Sequence, residues 1–138
     1  MAKYSVNDKC PCGSNLKYKK CCQVFHKGKL PSNALELMKS RYSAYVVKDV
    51  KYIINTTDVN NPDYTLNTQI WAEDIEEFCK NSDFRALEIL DFIKYENISY
   101  VKFYVNLYIN EKDNSFTEKS KFVKVDNKWL YVNGEFED

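Results

Sequence analysis

Four of the five cysteines fall within thirteen residues, as Cys10, Cys12, Cys21 and Cys22 in the run CPCGSNLKYKKCC. The spacing is C-x-C, eight residues, then C-C. Two close pairs joined by a short loop can place four sulfurs around one tetrahedral ion. Thiolates select soft or borderline metals, and zinc is the usual occupant of a closed four-sulfur site. With all four positions filled by protein, no position remains for a reactive water, so the zinc expected here is structural. The competing readings are a disulfide or plain buried thiols. A vicinal Cys21–Cys22 bond would be strained, and clustered cysteines without a secretory context point to metal.

The residues between the pairs suit that task. Pro11 stiffens the first pair, and Gly13 permits a tight turn behind it. Lys17, Lys19 and Lys20 favour thiolate by charge attraction and are candidate partner contacts. His26 could replace a cysteine as ligand, but a single histidine four residues downstream is more often simply exposed. Cys79 lies on an apolar helix face and reads as core.

The net charge is zero, yet residues 1–30 hold seven lysines against one aspartate, which leaves the rest at −6. A basic knob on an acidic body favours anionic partners for the knob: nucleic acid, lipid headgroups or an acidic protein face. The plainer reading is that these lysines keep a small metal module soluble. No run approaches the ~20 apolar residues that span a bilayer. The N-terminal MAKYSVNDKC has no apolar leader core, and a cytoplasmic location is expected.

The elements that must position these residues follow from spacing. Residues 1–28 form the metal module, and Gly28, Pro31 and Ser32 mark a linker to a second unit over 29–138. Asn33 with Glu36 is a capping box that opens a helix carrying Leu35, Met38, Tyr42, Tyr45 and Val46. Lys48-Asp49 breaks it, and a short helix follows with Val50, Ile53 and Ile54. Residues 56–64 read as loop. A third helix over about 67–80 puts Ile70, Trp71, Ile75, Phe78 and Cys79 on one face. The period then changes to two. Strands are expected over 84–95, 99–109, 116–125 and 128–133, with Asp126-Asn127 as a tight turn. Helices followed by an antiparallel meander make an α+β domain with helices on one sheet face.

These residues resemble known ones. CPCGSNLKYKKCC resembles the SEC-C motif, the zinc module at the end of the bacterial preprotein translocase motor ATPase. Its final ligand is often histidine there and is Cys22 here. Residues 37–57, LMKSRYSAYVVKDVKYIINTT, and the later EKSKF (118–122) and KWLYVNG (128–134) resemble the YchJ-like uncharacterised family. That family joins an N-terminal SEC-C motif to a domain similar to nuclear transport factor 2. The resemblance implies a cone: about three helices leaning on a curved four-stranded antiparallel sheet, with a pocket between them. Members often carry Trp-His-Pro near the stretch that is Thr57-Asp58-Val59 here, and histidine before the glutamate that matches Glu118, where this chain has Thr117. Many also end in a second SEC-C motif, which is not present up to Asp138.

A pocket in such a cone would draw on Arg41, Tyr42, Tyr45, Glu118, Trp129 and Tyr131. Alternation places Glu118 beside Phe116, Ser120 and Phe122, so an inward Glu118 would need a partner, and Arg41 is the expected one. A paired inward glutamate is more often a structural ion pair than a general base. No catalytic residue is nominated. A Ser-His-Asp set cannot be built around a single histidine, and with three glycines there is no phosphate loop. The function expected is therefore a zinc-binding adaptor whose SEC-C module docks a protein partner. The resemblance suggests export, translation or quality-control machinery. One alternative is a small enzyme or ligand-binding protein using the cone pocket. The other is RNA or ribosome binding through the basic module.

Overall fold

A computed structural model describes residues 4–137. Helices come first and a sheet follows. A short 3-10 turn, Tyr18–Lys20, precedes α1 (Cys22–His26), α2 (Ala34–Val47), α3 (Val50–Asn55) and α4 (Thr68–Lys80). The first two of these segments were not expected from spacing, because three to five residues are too few to display a helical period.

Asn33 caps α2, its Oδ1 accepting from the Glu36 N–H at 2.8 Å. Glu36 reaches back one residue further than a standard capping box, accepting from the N–H and the hydroxyl of Ser32 at 2.8 and 2.7 Å. Lys48 ends α2 in the left-handed region (φ 65°), and Asp49 caps α3 by accepting from the Tyr52 N–H at 3.1 Å. α2 is buried on nearly every side: Leu37, Met38, Tyr42 and Ala44 face other apolar groups, and Ser40 and Ser43 are fully buried as well. It is the central post of the molecule, with α1 and α3 on one side and β1, β2 and β5 of the sheet on the other.

The strands are β1 (Ser82–Lys94), β2 (Ile98–Ile109), the two-residue β3 (Lys112–Asp113), β4 (Phe116–Val125) and β5 (Lys128–Glu137). All pairings are antiparallel, in the order β1-β2-β4-β5, with β3 pairing β2. The fold is thus α+β as expected, with β3 as an added rung in the expected loop and β5 running four residues beyond its expected end. Asp126 and Asn127 both take positive φ (49° and 66°), the backbone that a two-residue hairpin turn of matching twist requires. Bulges break the β1–β2 register at Phe84/Ala86 and Ile89/Asp91, and the β4–β5 register at Lys121/Phe122. Each bulge adds bend and twist, so the sheet curls around the helices.

The core lies between the helices and one face of β2 and β4, with Val101, Phe103, Val105, Leu107 and Phe122 pointing inward against Leu37, Met38, Trp71, Ile75 and Cys79. The third-helix expectation needs one correction. Trp71, Ile75 and Cys79 are buried at i, i+4 and i+8, but Ile70 and Phe78 are 54% and 39% exposed. They flank the buried stripe, and that stripe is narrower than the run of apolar letters suggested.

Candidate metal centre

The four cysteines converge. Their sulfurs all lie within 4.8 Å of one another, and Cys12 and Cys21 approach to 3.6 Å. None is in a disulfide. A tetrahedral four-thiolate site with bonds of about 2.3 Å sets its sulfurs about 3.8 Å apart, so the donor set fits a single ion. Cys10, Cys12 and Cys22 are buried and Cys21 is half-buried.

Local backbone makes this possible. Gly13 takes φ +87° and its N–H donates to the Cys10 carbonyl at 3.2 Å, turning the chain behind the first pair. The loop is tied off by an antiparallel bridge between Lys9 and Lys17, with the Cys10 N–H donating to the Leu16 carbonyl at 2.7 Å. Cys21 adopts φ −131°, ψ −111°, off the usual basins, which is the bend that lets two adjacent side chains serve one centre. Ser14 donates to the Cys21 sulfur at 3.1 Å.

The thiols restrain one another electrostatically. Hydrogen bonds from Cys12 and Cys22 hold Cys10 far below the usual thiol range. The same sharing pushes Cys12 up to about 11, and it pushes Cys22 up too, where burial adds to the effect. Four sulfurs this close cannot all ionise without repelling one another, and a cation placed among them would remove that repulsion, so the donor set is compatible with a bound metal.

The cluster is bolted to the second unit. The Cys10 sulfur meets the Ser43 hydroxyl of α2 at 3.5 Å, and Val47 packs against the cluster. His26 is the second bolt. Its Nε2–H donates to the Ser40 carbonyl at 2.8 Å, and its Nδ1 accepts from the Tyr18 hydroxyl at 2.5 Å. Its ring is 4.6 Å from that of Tyr52, and Asp49 Oδ2 is 3.8 Å from Nδ1. Both ring nitrogens face protein partners, and His26 stands outside the sulfur cluster. Lys17, Lys19 and Lys20 are exposed on the module's outer side.

The cone holds a cavity of about 190 Å³ to which Arg41, Tyr42, Tyr45, Glu118 and Tyr131 all contribute. Trp129 does not. It lines a separate cleft beside α1 and α3, so its assignment to the cone pocket is corrected. The expected Arg41–Glu118 pair is also absent among the described residues. Arg41 instead donates through Nη1 to the Ile53 carbonyl (2.9 Å), Thr56 (2.7 Å) and Thr57 (3.2 Å), with its guanidinium 4.7 Å from the centre of the Tyr131 ring. These acceptors belong to the C-terminal end of α3, where helical carbonyls lack intrahelical partners. Glu118 accepts from Tyr131 at 3.2 Å and from the adjacent Ser120 hydroxyl. Burial, with the Glu118 charge beside it, raises Tyr131 above the usual phenol range, and burial raises Tyr45 likewise. Sequence reasoning had no signal for the Ser43 and Ser40 contacts, since serines within a helix carry no period.

Comparison with known proteins follows this division of the chain. Residues 33–134 match the family described as YchJ, middle NTF2-like domain, and residues 7–23 match the SEC-C motif. A UPF0225 protein of Pectobacterium carotovorum is 37% identical over 137 residues, covering 94% of this chain and 84% of that protein. One from Vibrio vulnificus is 38% identical over 134 residues, covering 92% and 74%. The chain belongs to the YchJ-like UPF0225 family. A SEC-C motif containing protein from Rhodopseudomonas palustris, solved in solution, is similar with a TM-score of 0.78 at 28% identity, over 95% of this chain and 100% of that one. A crystal structure of a SEC-C motif containing protein from Psychrobacter arcticus, at 24% identity and a TM-score of 0.77, shares the fold over 96% of this chain. This UPF0225 chain thus carries the SEC-C motif and the NTF2-like domain as one packed body, joined at His26 and Cys10. No helix among the described residues is long and apolar enough to cross a membrane.

Proposed function

We propose that this protein is a zinc-dependent adaptor. Cys10, Cys12, Cys21 and Cys22 hold a structural zinc, the zinc shapes the SEC-C module, and Lys17, Lys19 and Lys20 present a basic face to an acidic protein partner in the cytoplasm. The observation that carries this reading is the four-sulfur cluster within 4.8 Å, whose donors leave no open position on a tetrahedral ion. A closed site builds a surface; it does not activate water. The fastening of that module to α2 through Ser43 and His26 makes the basic face a rigid platform, which lowers the ordering cost of docking.

The test is capture from a lysate on immobilised protein, identified by mass spectrometry, with and without a zinc chelator and with Cys10→Ser. One equivalent of zinc, and a defined partner lost on chelation and in Cys10→Ser, supports the adaptor. A partner set indifferent to both overturns it. Nuclease-sensitive capture would point instead to RNA or the ribosome.

A second reading rests on a different observation, the polar cluster of Glu118, Tyr131 and Arg41 at the wall of the 190 Å³ cavity. The Tyr131 hydroxyl gives its proton to Glu118, so the pair offers a small polar ligand acceptor oxygens, with the Arg41 guanidinium beside them over the Tyr131 ring. A thermal-shift screen of small polar compounds tests it, with Tyr131→Phe as the discriminating variant.

A further inference from the structure

Where the SEC-C module meets the cone, between α1, the linker, α3 and the start of β5, lies a cleft of about 280 Å³. Its wall includes Phe25, Tyr52 and Trp129, and around it stand Lys29, Lys51 and Lys128. The aromatic residues come from three separate elements, and so do the lysines. None of the three lysines is ion-paired among the described residues, and all three are exposed. The one carboxylate in the cleft, Asp49, is already engaged: it caps α3 through the Tyr52 N–H and lies 3.8 Å from the His26 ring. Trp129 is 4% exposed, and its indole N–H has no hydrogen-bond partner among the described residues. A buried donor left unpaired is costly, which marks this corner of the cleft wall as incompletely satisfied within the chain.

We propose that this seam cleft is the docking site for a short acidic peptide segment bearing one aromatic anchor. The proposal goes beyond the Lys17, Lys19 and Lys20 face of the adaptor reading, adding a second contact, and rests on that reading for the source of the peptide. Three cations without a carboxylate partner, one of them (Lys29) 5.9 Å from the centre of the Phe25 ring, stand around an aromatic hollow and fit several negative charges flanking one apolar side chain. A volume of this size takes one ring and its neighbours rather than a large cofactor. Lysine suits this role because its flexible stem lets a point charge follow carboxylates at varied spacing. Seated there, a peptide touches the SEC-C module and the cone at once, so its affinity depends on their being held together.

The experiment uses the full zinc-loaded chain and a fluorescein-labelled peptide, Glu-Asp-Phe-Glu-Asp, followed by fluorescence polarisation. Saturable binding is expected, weakening as salt rises. Replacing the central Phe by Ala, or the acidic residues by Lys, abolishes it. In the protein, the double change Lys51→Glu with Lys128→Glu weakens binding at least about tenfold, Trp129→Phe weakens it about threefold, and Lys112→Glu on distant β3 leaves it unchanged. The lysines are exposed, so the double variant keeps its fold, which circular dichroism verifies, and the result does not depend on Trp129→Phe being stable. No saturation up to about 1 mM peptide, equal binding by the double variant, or tighter binding of a labelled oligouridylate would each overturn the site. Zinc-dependent capture of a partner that ignores the double variant would leave the adaptor standing and overturn this cleft. Peptide binding without any zinc-dependent partner would do the reverse.

Discussion

The carboxylate of Glu118 occupies the space where Gly134 has no side chain. A Cβ on Gly134 would stand 2.8 Å from Glu118 Cγ and nearer still to the carboxylate. The two residues sit on adjacent strands, with Gly134 opposite Ser120 and Glu118 two residues before it. The glycine is therefore a matter of space rather than of backbone freedom. It lets the carboxylate lie flat across β5 and reach Tyr131 and Ser120. Gly134→Ala should dislodge that carboxylate and cost about 1–3 kcal/mol, the range for a half-buried acceptor losing its partners and for local overpacking. In a Glu118→Ala background the obstruction is gone, so the same change should cost far less. A double-mutant cycle in urea measures the coupling, and additive effects would refute the contact.

The metal cluster predicts a specific pattern of loss. Cys22→Ser removes the most buried of the four sulfurs and should abolish stoichiometric zinc, measured by mass spectrometry of protein purified without added metal. Because binding such an ion contributes about 10–16 kcal/mol of apparent free energy, the module should lose its order while the cone keeps its own core. Hydrogen exchange separates the two: amides over residues 8–26 should exchange freely, and those of β2 and β4 should stay protected. Uniform loss of protection would show that the cone cannot stand without the ion.

Some of this was legible in the letters. The cysteine spacing, the Asn33–Glu36 cap, the alternation of Val101 to Leu107 and the Asp126-Asn127 turn each depend on local chemistry, and each lies where spacing put it. Trp129 was misplaced because belonging to a strand of such a cone does not say which end of the sheet face its cavity occupies. Opposite Lys124 and beyond Phe122, it meets α1 and α3 instead of the cone cavity. The Arg41–Glu118 pair failed for a related reason. Complementary charge is visible in sequence, but the Ile53 carbonyl and the threonine hydroxyls at the end of α3 are competing acceptors that come together only after the chain has folded.

Burial raises Tyr42 and Tyr52 to about 12, well above an ordinary phenol. The folded state therefore holds these protons more tightly than the unfolded chain. Their contribution is fully present below about pH 10, where unfolded tyrosine is protonated, and is lost as pH rises through the folded values. Stability should therefore fall steadily from about pH 10 to 12, and phenolate absorbance from these residues should appear together with unfolding. Spectrophotometric titration alongside circular dichroism checks this. Full ionisation of all eleven tyrosines near pH 10 with the fold intact would contradict it.

His26 fastens the two halves of the chain without belonging to the four-sulfur cluster. Its two ring nitrogens join Tyr18 of the SEC-C module to the Ser40 carbonyl of α2, and its side chain is 3% exposed. His26→Ala should leave one zinc per chain, since all four sulfurs remain. It should nonetheless lower stability by about 2–4 kcal/mol, from two lost hydrogen bonds and the cavity left by the ring. His26→Gln has a polar end that can reach only one of the two partners, so its loss should be intermediate. Metal content and thermal melting must be read together on the same samples. If His26→Ala lost zinc in proportion to stability, the histidine would be acting through the cluster. If it kept both, the fastening would lie elsewhere, at Cys10 and Ser43.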